Sequence, residues 1–327
     1  MTSLAAELSE YIRAEDADEF RFDALARKLF THQFARNLPY QRFCAARGAM
    51  PESVSHWREI PAAPASAFKR FALSCAPEEV CTVFHSSGTT GAETSRHFMD
   101  ADALDLYRLS LKTGYRRTLG TEPWGIVAVM PPPDLAQNSS LSFMLGELDA
   151  VFLSPDSLGA WLRVPRKPVC YFGTAFAWMH FFDATEGERF ALPEDCTVVE
   201  TGGFKGRSRE VSRDELYGLF RERLGVSDAR CFSEYGMSEL ASQFYSVGVH
   251  GRKVGPPWVR TRALDPVTNA DALPGEPGLL CHYDLANLNS VLAVQTEDLG
   301  ILHDDGSFEL LGRAPGAILR GCSLLAE

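Results

Sequence analysis

Thr197-Val198-Val199-Glu200-Thr201-Gly202-Gly203-Phe204-Lys205-Gly206 runs from a β-branched stretch into a glycine-rich turn, and Ser212-Arg213-Asp214-Glu215 follows it. β-Branched side chains favour an extended backbone, whereas Gly202-Gly203 opens conformations closed to other residues. Ser212, with Glu215 three positions on, is a capping box: each side chain satisfies an N–H that the first helical turn leaves free, and Gly225 supplies the stop. The segment therefore predicts strand, loop and helix, in that order.

The same order recurs on either side. Upstream, Cys81-Thr82-Val83-Phe84 leads into Ser86-Ser87-Gly88-Thr89-Thr90-Gly91, and Leu104, Tyr107, Leu111, Tyr115 and Leu119 then mark one face of a helix. Gly125 to Met130 is a further strand, stopped by Pro131-Pro132-Pro133, and Val169 to Phe172 precedes a helix through Trp178 and Phe182. Downstream, Ala229 to Ser233 leads into Tyr235-Gly236-Met237-Ser238-Glu239. Repeated strand–loop–helix units predict an α/β fold with largely parallel sheets flanked by helices, ligands lying at the carboxyl ends of the strands. The three glycine-containing loops are expected at such ends. Residues 1–80 read as an N-terminal helical lobe, with Phe22, Leu25, Leu29 and Gln33 on one face, and residues 81–274 as the α/β core. Residues 275–327 read as a smaller β-rich part, with Asp305-Gly306 as a hairpin turn.

Composition narrows the function. At 327 residues and 45% hydrophobic the chain can bury a large core. A net charge of −11 opposes long-range attraction to nucleic acid or anionic lipid, so a small-molecule or protein partner is expected. No apolar run reaches the length of a membrane span and the first residues are not signal-like, which predicts a cytoplasmic protein. Eight scattered cysteines, with no Cys-x-x-Cys pair or zinc spacing, predict free thiols. Seven lie in or beside apolar or mixed segments. Cys322, in Arg320-Gly321-Cys322-Ser323 near the end of the chain, stands apart.

The chemistry-bearing residues are few. Ser86 to Gly91 carries two glycines and four hydroxyls, a set able to close around phosphate oxygens, yet Gly88 and Gly91 are too close for a P-loop and no Lys-Ser/Thr follows. Taken alone it is a surface turn as readily as a phosphate loop. Tyr235 offers a ring for a purine and Glu239 a carboxylate for Mg²⁺, or else a strand-end aromatic and a helix N-terminal acid. Asp298 suits ribose hydroxyls or an acidic turn, and Arg313 suits ribose and phosphate or open solvent. Lys205, in a glycine-flanked loop, could neutralise phosphate charge. His180 reads as a core histidine, and Phe172, Phe176, Trp178, Phe181 and Phe182 as either core or the wall of an apolar acyl pocket.

Together these residues resemble the acyl-protein synthetase family, the fatty-acid-activating component of bacterial luciferin-aldehyde systems, within the adenylate-forming superfamily. The resemblance runs from Ile60-Pro61-Ala62-Ala63-Pro64-Ala65-Ser66-Ala67-Phe68-Lys69 to Cys322. It takes in Ser86–Gly91, Asn138-Ser139-Ser140-Leu141, Gly173-Thr174-Ala175-Phe176, Glu200–Gly206, the Tyr235 motif with Gln243-Phe244-Tyr245, Asp284-Leu285-Ala286-Asn287 and Thr296-Glu297-Asp298-Leu299-Gly300. It implies ATP and Mg²⁺ as cofactors. Ser86, Ser87, Gly88, Thr89, Thr90 and Gly91 would hold phosphates, Gly202 and Gly203 would flank adenine, and Tyr235, followed by Gly236, would stack on it. Glu239 would help bind Mg²⁺, Asp298 would bond the ribose, and Arg313 would contact ribose or phosphate.

Cys322 matches the family's acyl-accepting cysteine. The implied sequence is activation of a long-chain fatty acid as acyl-adenylate, self-acylation at Cys322, and transfer to an acyl reductase. Relative to larger adenylate-forming ligases, the mobile C-terminal domain and its catalytic lysine are expected to be missing. The Pro-Lys that follows the phosphate loop in many of them is absent too, with Arg96 as its candidate substitute. A thiol on a terminal segment could then deliver itself to the adenylate, and Arg320 would favour its thiolate. Two alternatives follow: an acyl- or aryl-CoA ligase of the phenylacetate-activating type, and a non-catalytic subunit that binds nucleotide or carries an acyl group loaded by another enzyme, with an acyl-transferase or thioesterase as a further protein partner.

Overall fold

The computed structural model describes residues 3–86, 94–120, 125–164, 167, 169–202 and 211–314. The chain forms two units: Met1–Tyr115, Met237–Gln243 and Lys253–Glu327 make the first, and Arg116–Gly236 and Phe244–Arg252 the second.

The first unit opens with helices α1 (Ser3–Ala14), α2 (Glu19–Arg36) and α3 (Leu38–Ala45). Asp18 caps α2 by accepting the Arg21 N–H at 2.8 Å. Phe22, Leu25, Leu29 and Gln33 are all buried along α2. Gln33 serves there as a substitute peptide group: its Nε2 donates to the Asn287 carbonyl at 2.6 Å and its Oε1 accepts the Leu292 N–H at 2.7 Å. Strand β1 (Ala63–Pro64), helix α4 (Ala67–Arg70), strands β2 (Thr82–His85) and β3 (Arg96–Met99), and helix α5 (Ala101–Leu119) follow. β2 and β3 pair antiparallel as a separate two-stranded sheet. This corrects one expectation, because the serine-rich loop joins two strands of a hairpin and does not lead from a parallel strand into a helix.

The second unit contains β4 (Gly125–Val129), α6 (Ser140–Glu147), β5 (Val151–Leu153), α7 (Pro155–Leu162), β6 (Val169–Thr174), α8 (Ala175–Ala184), β7 (Thr197–Thr201), α9 (Arg213–Leu219), β8 (Cys231–Tyr235) and β9 (Phe244–Val247). Its six strands run in the order β5-β4-β6-β7-β8-β9, every neighbour parallel except β9. Ser139, Ser154, Thr174 and Ser212 each cap the helix they precede. After α9 the chain continues as a π turn, Phe220–Leu224, before Gly225 ends it at φ +69°.

The core of this unit is aromatic. Trp178 is fully buried, its ring centroid 5.2 Å from Phe220 and 6.2 Å from Phe182, and Phe181 meets Phe190 at 5.4 Å. Each such ring contributes about 1.5–3 kcal/mol on burial, so Trp178, Phe181 and Phe182 belong to the core that holds α8 on the sheet. His180 was expected inside. Instead its side chain is 47% exposed and its Nε2 lies 3.5 Å from Asp156 Oδ1.

On its return to the first unit the chain forms β10 (Val259–Leu264), β11 (Gly278–Asp284), β12 (Ala293–Leu302) and β13 (Phe308–Arg313), each antiparallel to the next. β1 adds parallel to β12 at Val294 and Gln295. Gly306, at φ +79°, makes the turn between β12 and β13 where Asp305-Gly306 predicted it. The seven described cysteines are free thiols, six of them buried and Cys81 exposed. Among the described residues no helix is long and apolar enough to cross a membrane.

Candidate active site

The sequence-predicted residues fall into two sets, one in each unit. In the first unit the set begins at the loop end of the β2–β3 hairpin. Ser86 N–H donates to the Ser95 carbonyl at 3.1 Å, and the Ser95 N–H returns to Ser86 Oγ at 2.9 Å. Ser86 is thereby fixed at the root of the loop. Ser87, Gly88, Thr89, Thr90 and Gly91 lie outside the described residues.

Glu239 occupies a turn in the short segment that Met237–Gln243 contributes to this unit. No helix follows it, so the helix N-terminal role does not apply. The residue is 4% exposed, and burial pushes its carboxyl above the ordinary range. The nearby Ser95 side chain and the charges of Arg313 and Lys69 act in the opposite direction. Backbone groups of the turn are tied down on several sides. His97 Nδ1 donates to the Ser238 carbonyl at 2.5 Å, Asn287 Nδ2 donates to the Glu239 carbonyl at 2.9 Å, and the Ala241 N–H donates to Asp284 Oδ2 at 3.0 Å. His97, 1% exposed, is pushed down to about 4 by desolvation and is neutral near pH 7.

Asp298 and Arg313 sit directly across from each other on β12 and β13. Arg313 Nε lies 3.5 Å from Asp298 Oδ1, and its Nη1 donates to Glu297 Oε2 at 2.6 Å. Asp298 therefore stands in a strand and not in an acidic turn. The Arg313 side chain is 65% exposed, so most of its donors face solvent. Arg96, the first residue of β3, has its guanidinium 5.6 Å from the Phe98 ring centroid.

In the second unit, Thr201 and Glu234 pair across β7 and β8, and the Thr201 hydroxyl donates to the Glu234 carboxylate. Gly202 and Tyr235 are the next residues on these two parallel strands, at their carboxyl ends. Gly202 has φ +69°, a conformation that favours glycine, and a Cβ there would meet no described atom within 4 Å. Tyr235 is half-buried, pairs with Phe244 of β9, and has its ring centroid 5.8 Å from that phenyl. Gly236 follows as the last residue before the chain passes back to the first unit. Gly203 and Lys205 lie outside the described residues, as does Cys322.

Two braces of the Glu239 turn escaped the reading of single residues. Asp284, buried and pushed up to about 6 by desolvation, accepts from Ala241, Ser242 and Ala286, and Asn287 holds Glu239. Their signal was the pair of polar residues that bounds the quoted stretch Asp284-Leu285-Ala286-Asn287.

The donor set fits a nucleotide and its cation in a limited way. Among the described residues no group of three metal-ligating side chains gathers. One buried carboxylate, with the rest of the coordination from phosphate oxygens and water, is how Mg²⁺ is commonly held beside a nucleotide. Glu239 fits that role, and the Asp298–Arg313 pair offers an acceptor for sugar hydroxyls beside a phosphate-directed donor.

This architecture is that of the adenylate-forming ligases. It is similar to ATP-bound MatB from Rhodopseudomonas palustris (TM-score 0.52, 16% identity), covering 72% of this chain and 48% of that one, about half its length. It is also similar to 2-hydroxyisobutyryl-CoA ligase in the postadenylation state (TM-score 0.69, 14% identity), covering 90% of this chain and 67% of that one. In sequence, the family model described as Acyl-protein synthetase, LuxE, matches residues 161–327. The chain belongs to the acyl-protein synthetase family and is a ligase. A long-chain-fatty-acid–luciferin-component ligase of Vibrio harveyi is 25% identical over 92% of this chain and 85% of its own length. The protein of the same name from Aliivibrio fischeri is 22% identical over 95% and 88%.

Proposed function

We propose that this chain uses ATP to activate a long-chain fatty acid, takes the acyl group onto Cys322 as a thioester, and passes it to an acyl reductase. A carboxylate oxygen of the acid attacks the α-phosphorus and pyrophosphate leaves. The Cys322 thiolate then attacks the acyl carbonyl and AMP leaves. The observation that carries this reading is the grouping, in one unit, of the loop root Ser86–Ser95, the buried Glu239 carboxylate and the facing pair Asp298 and Arg313.

Each residue has a physical task in that reaction. Ser86 to Gly91 donate to phosphate oxygens, Gly202 and Gly203 leave room for the adenine plane, Tyr235 with Gly236 stacks on it, and Asp298 accepts from the ribose. Arg313 and Lys205 offset negative charge where the pentavalent phosphorus forms. Mg²⁺, held by Glu239, supplies further charge neutralisation on the phosphates. Arg320, two residues before Cys322, favours the thiolate.

The test is intact-mass analysis after incubation with Mg-ATP and a ladder of carboxylic acids. The proposal expects an acyl adduct that disappears in Cys322→Ser. A soluble acyl-CoA formed with no adduct would favour a CoA ligase instead, and an adduct formed only from a pre-activated donor would favour an acyl carrier.

A further inference from the structure

β7 and β8 each carry a buried carboxylate near their ends, on opposite faces of the sheet. Glu200 and Thr201 are successive residues of β7, so their side chains point to opposite faces. On one face Glu200, 5% exposed, accepts the Tyr217 hydroxyl at 3.4 Å and Arg213 Nη2 at 3.3 Å, both from α9. On the other, Thr201 stands across from Glu234 of β8 and its hydroxyl donates to that carboxylate. Thr201 and Glu234 are each 6% exposed. Val198 and Val199, the two residues before Glu200, fill the same two faces with apolar groups, so packing alone does not call for an acid or a hydroxyl at the strand end. A carboxylate taken out of water is tolerated when partners satisfy it, and hydrogen bonds to it are strong and directional. The Thr201–Glu234 bond therefore ties β7 to β8 at their last paired residues, directly before Gly202 and Tyr235.

We propose that Glu234 is a positioning residue for the base of the nucleotide. By holding the Thr201 hydroxyl it fixes the spacing and pitch of the two strand ends, and with them the Gly202 backbone and the Tyr235 ring that receive the adenine. Neither Thr201 nor Glu234 contacts the base itself; both act through the residue that follows them. The inference rests on the proposed nucleotide reading. It predicts that loss of the bond loosens the stacking of the base in the bound complex, a change that a bond serving the fold alone would not produce.

The experiment uses the full-length protein with Mg²⁺ and two probes, neither of which needs turnover. Calorimetric titration gives the Kd for ATP, and the triphosphate of 2-aminopurine riboside reports stacking at saturation, because a ring stacked on the fluorescent base quenches it. Tyr235→Ala is expected to weaken ATP binding and to remove most of the quenching. Thr201→Val keeps the shape of the side chain and removes the donor. It is expected to raise the Kd for ATP about tenfold, the scale of one charge-assisted hydrogen bond, and to lose a large part of the quenching at saturation. Thr201→Ser, which restores the hydroxyl, is expected to return both readings to within about twofold of wild type. If wild type binds neither nucleotide, or Tyr235→Ala matches wild type in both readings, the nucleotide reading of these strand ends fails. If Tyr235→Ala has its expected effect but Thr201→Val keeps wild-type quenching, or Thr201→Ser does not restore it, the positioning role is overturned. Should Thr201→Val fail to fold, Glu234→Gln keeps an acceptor oxygen and removes its charge. A several-fold rise in Kd with partial loss of quenching then supports the role, and wild-type values overturn it.

Discussion

The Asp284 carboxylate accepts the Ser242 hydroxyl at 2.8 Å, and the same Ser242 oxygen lies 3.0 Å from the indole N–H of Trp258 and 2.9 Å from Ser110 Oγ. All four residues are buried. Ser242 is the hinge of this group, because one hydroxyl gives its proton to a carboxylate while its lone pairs accept from the indole. Ser242→Ala leaves the Oδ1 side of Asp284 with one donor fewer. It is expected to cost about 1–3 kcal/mol, the penalty of an unmet buried partner. Urea denaturation of the two proteins measures it, and a midpoint equal to wild type would refute it.

Burial raises the Asp284 carboxyl from its ordinary 3.8 to about 6, against the pull of its three donors, the Ser242 hydroxyl and the N–H groups of Ala241 and Ala286. Between these two values the native protein keeps a proton that the unfolded chain has released. Stability from this group therefore falls as pH rises from about 4 to about 6 and is level above that range. Asp284→Asn does not titrate. Measured as the difference in melting temperature, the advantage of wild type over Asp284→Asn is expected to be larger at pH 4 than at pH 6.5. The reverse trend would mean that the donors outweigh desolvation.

Elements whose cause is local were legible in the sequence. Val198 and Val199 make β7, Ser212 caps α9 with its hydroxyl accepting the Glu215 N–H at 3.1 Å, and Gly225 and Gly306 adopt the positive φ that their turns require. What was hidden depends on partners distant in the chain. β3 buries His97 and Met99 on alternate positions, yet His97 is polar, and only the carbonyl of Ser238 makes its burial acceptable. Read from the sequence, the chain accordingly passes from the serine-rich loop to the helix face at Leu104 with no strand between them. His180 shows the converse error: its neighbours Met179 and Phe181 are buried, but adjacent residues on a helix point about 100° apart, so a polar residue between two apolar ones can still face water. Of the candidate site, residue types were legible and the braces were not. Asp284 lies on a strand buried at every position, where only Ser242 and two backbone N–H groups explain a carboxylate.

Arg313 separates stability from function. Its ion pairs with Glu297 and Asp298 are on a side chain 65% exposed, and exposed pairs contribute about 0–1 kcal/mol. Arg313→Lys keeps the charge but loses the planar fork that reaches two oxygens at once. Its melting temperature is expected to stay within about 2 °C of wild type, consistent with so small a term. The KM for ATP in the pyrophosphate-exchange reaction is expected to rise about tenfold, as for one lost charge-assisted contact. A large loss of melting temperature with an unchanged KM would assign Arg313 to the β12–β13 hairpin alone.

Gly202 distinguishes a turn from a ligand surface. If glycine is needed there only for its backbone, at φ +69°, then Gly202→Ala costs about 1–2 kcal/mol of conformational strain and nothing else. Among the described residues no atom lies within 4 Å of where the new Cβ would stand, so these residues add no packing penalty. If an adenine ring approaches that backbone, the same methyl occupies the ligand's space and weakens ATP binding beyond what strain explains. The expected result is a folded protein with a modest fall in melting temperature and an affinity for ATP reduced about tenfold or more, read by calorimetric titration. Comparison with Asp149, a non-glycine residue already at φ +58° in the same unit, sets the scale of strain that this fold tolerates. Wild-type affinity in Gly202→Ala would leave the glycine with a role in the turn only, and would move the adenine away from the ends of β7 and β8.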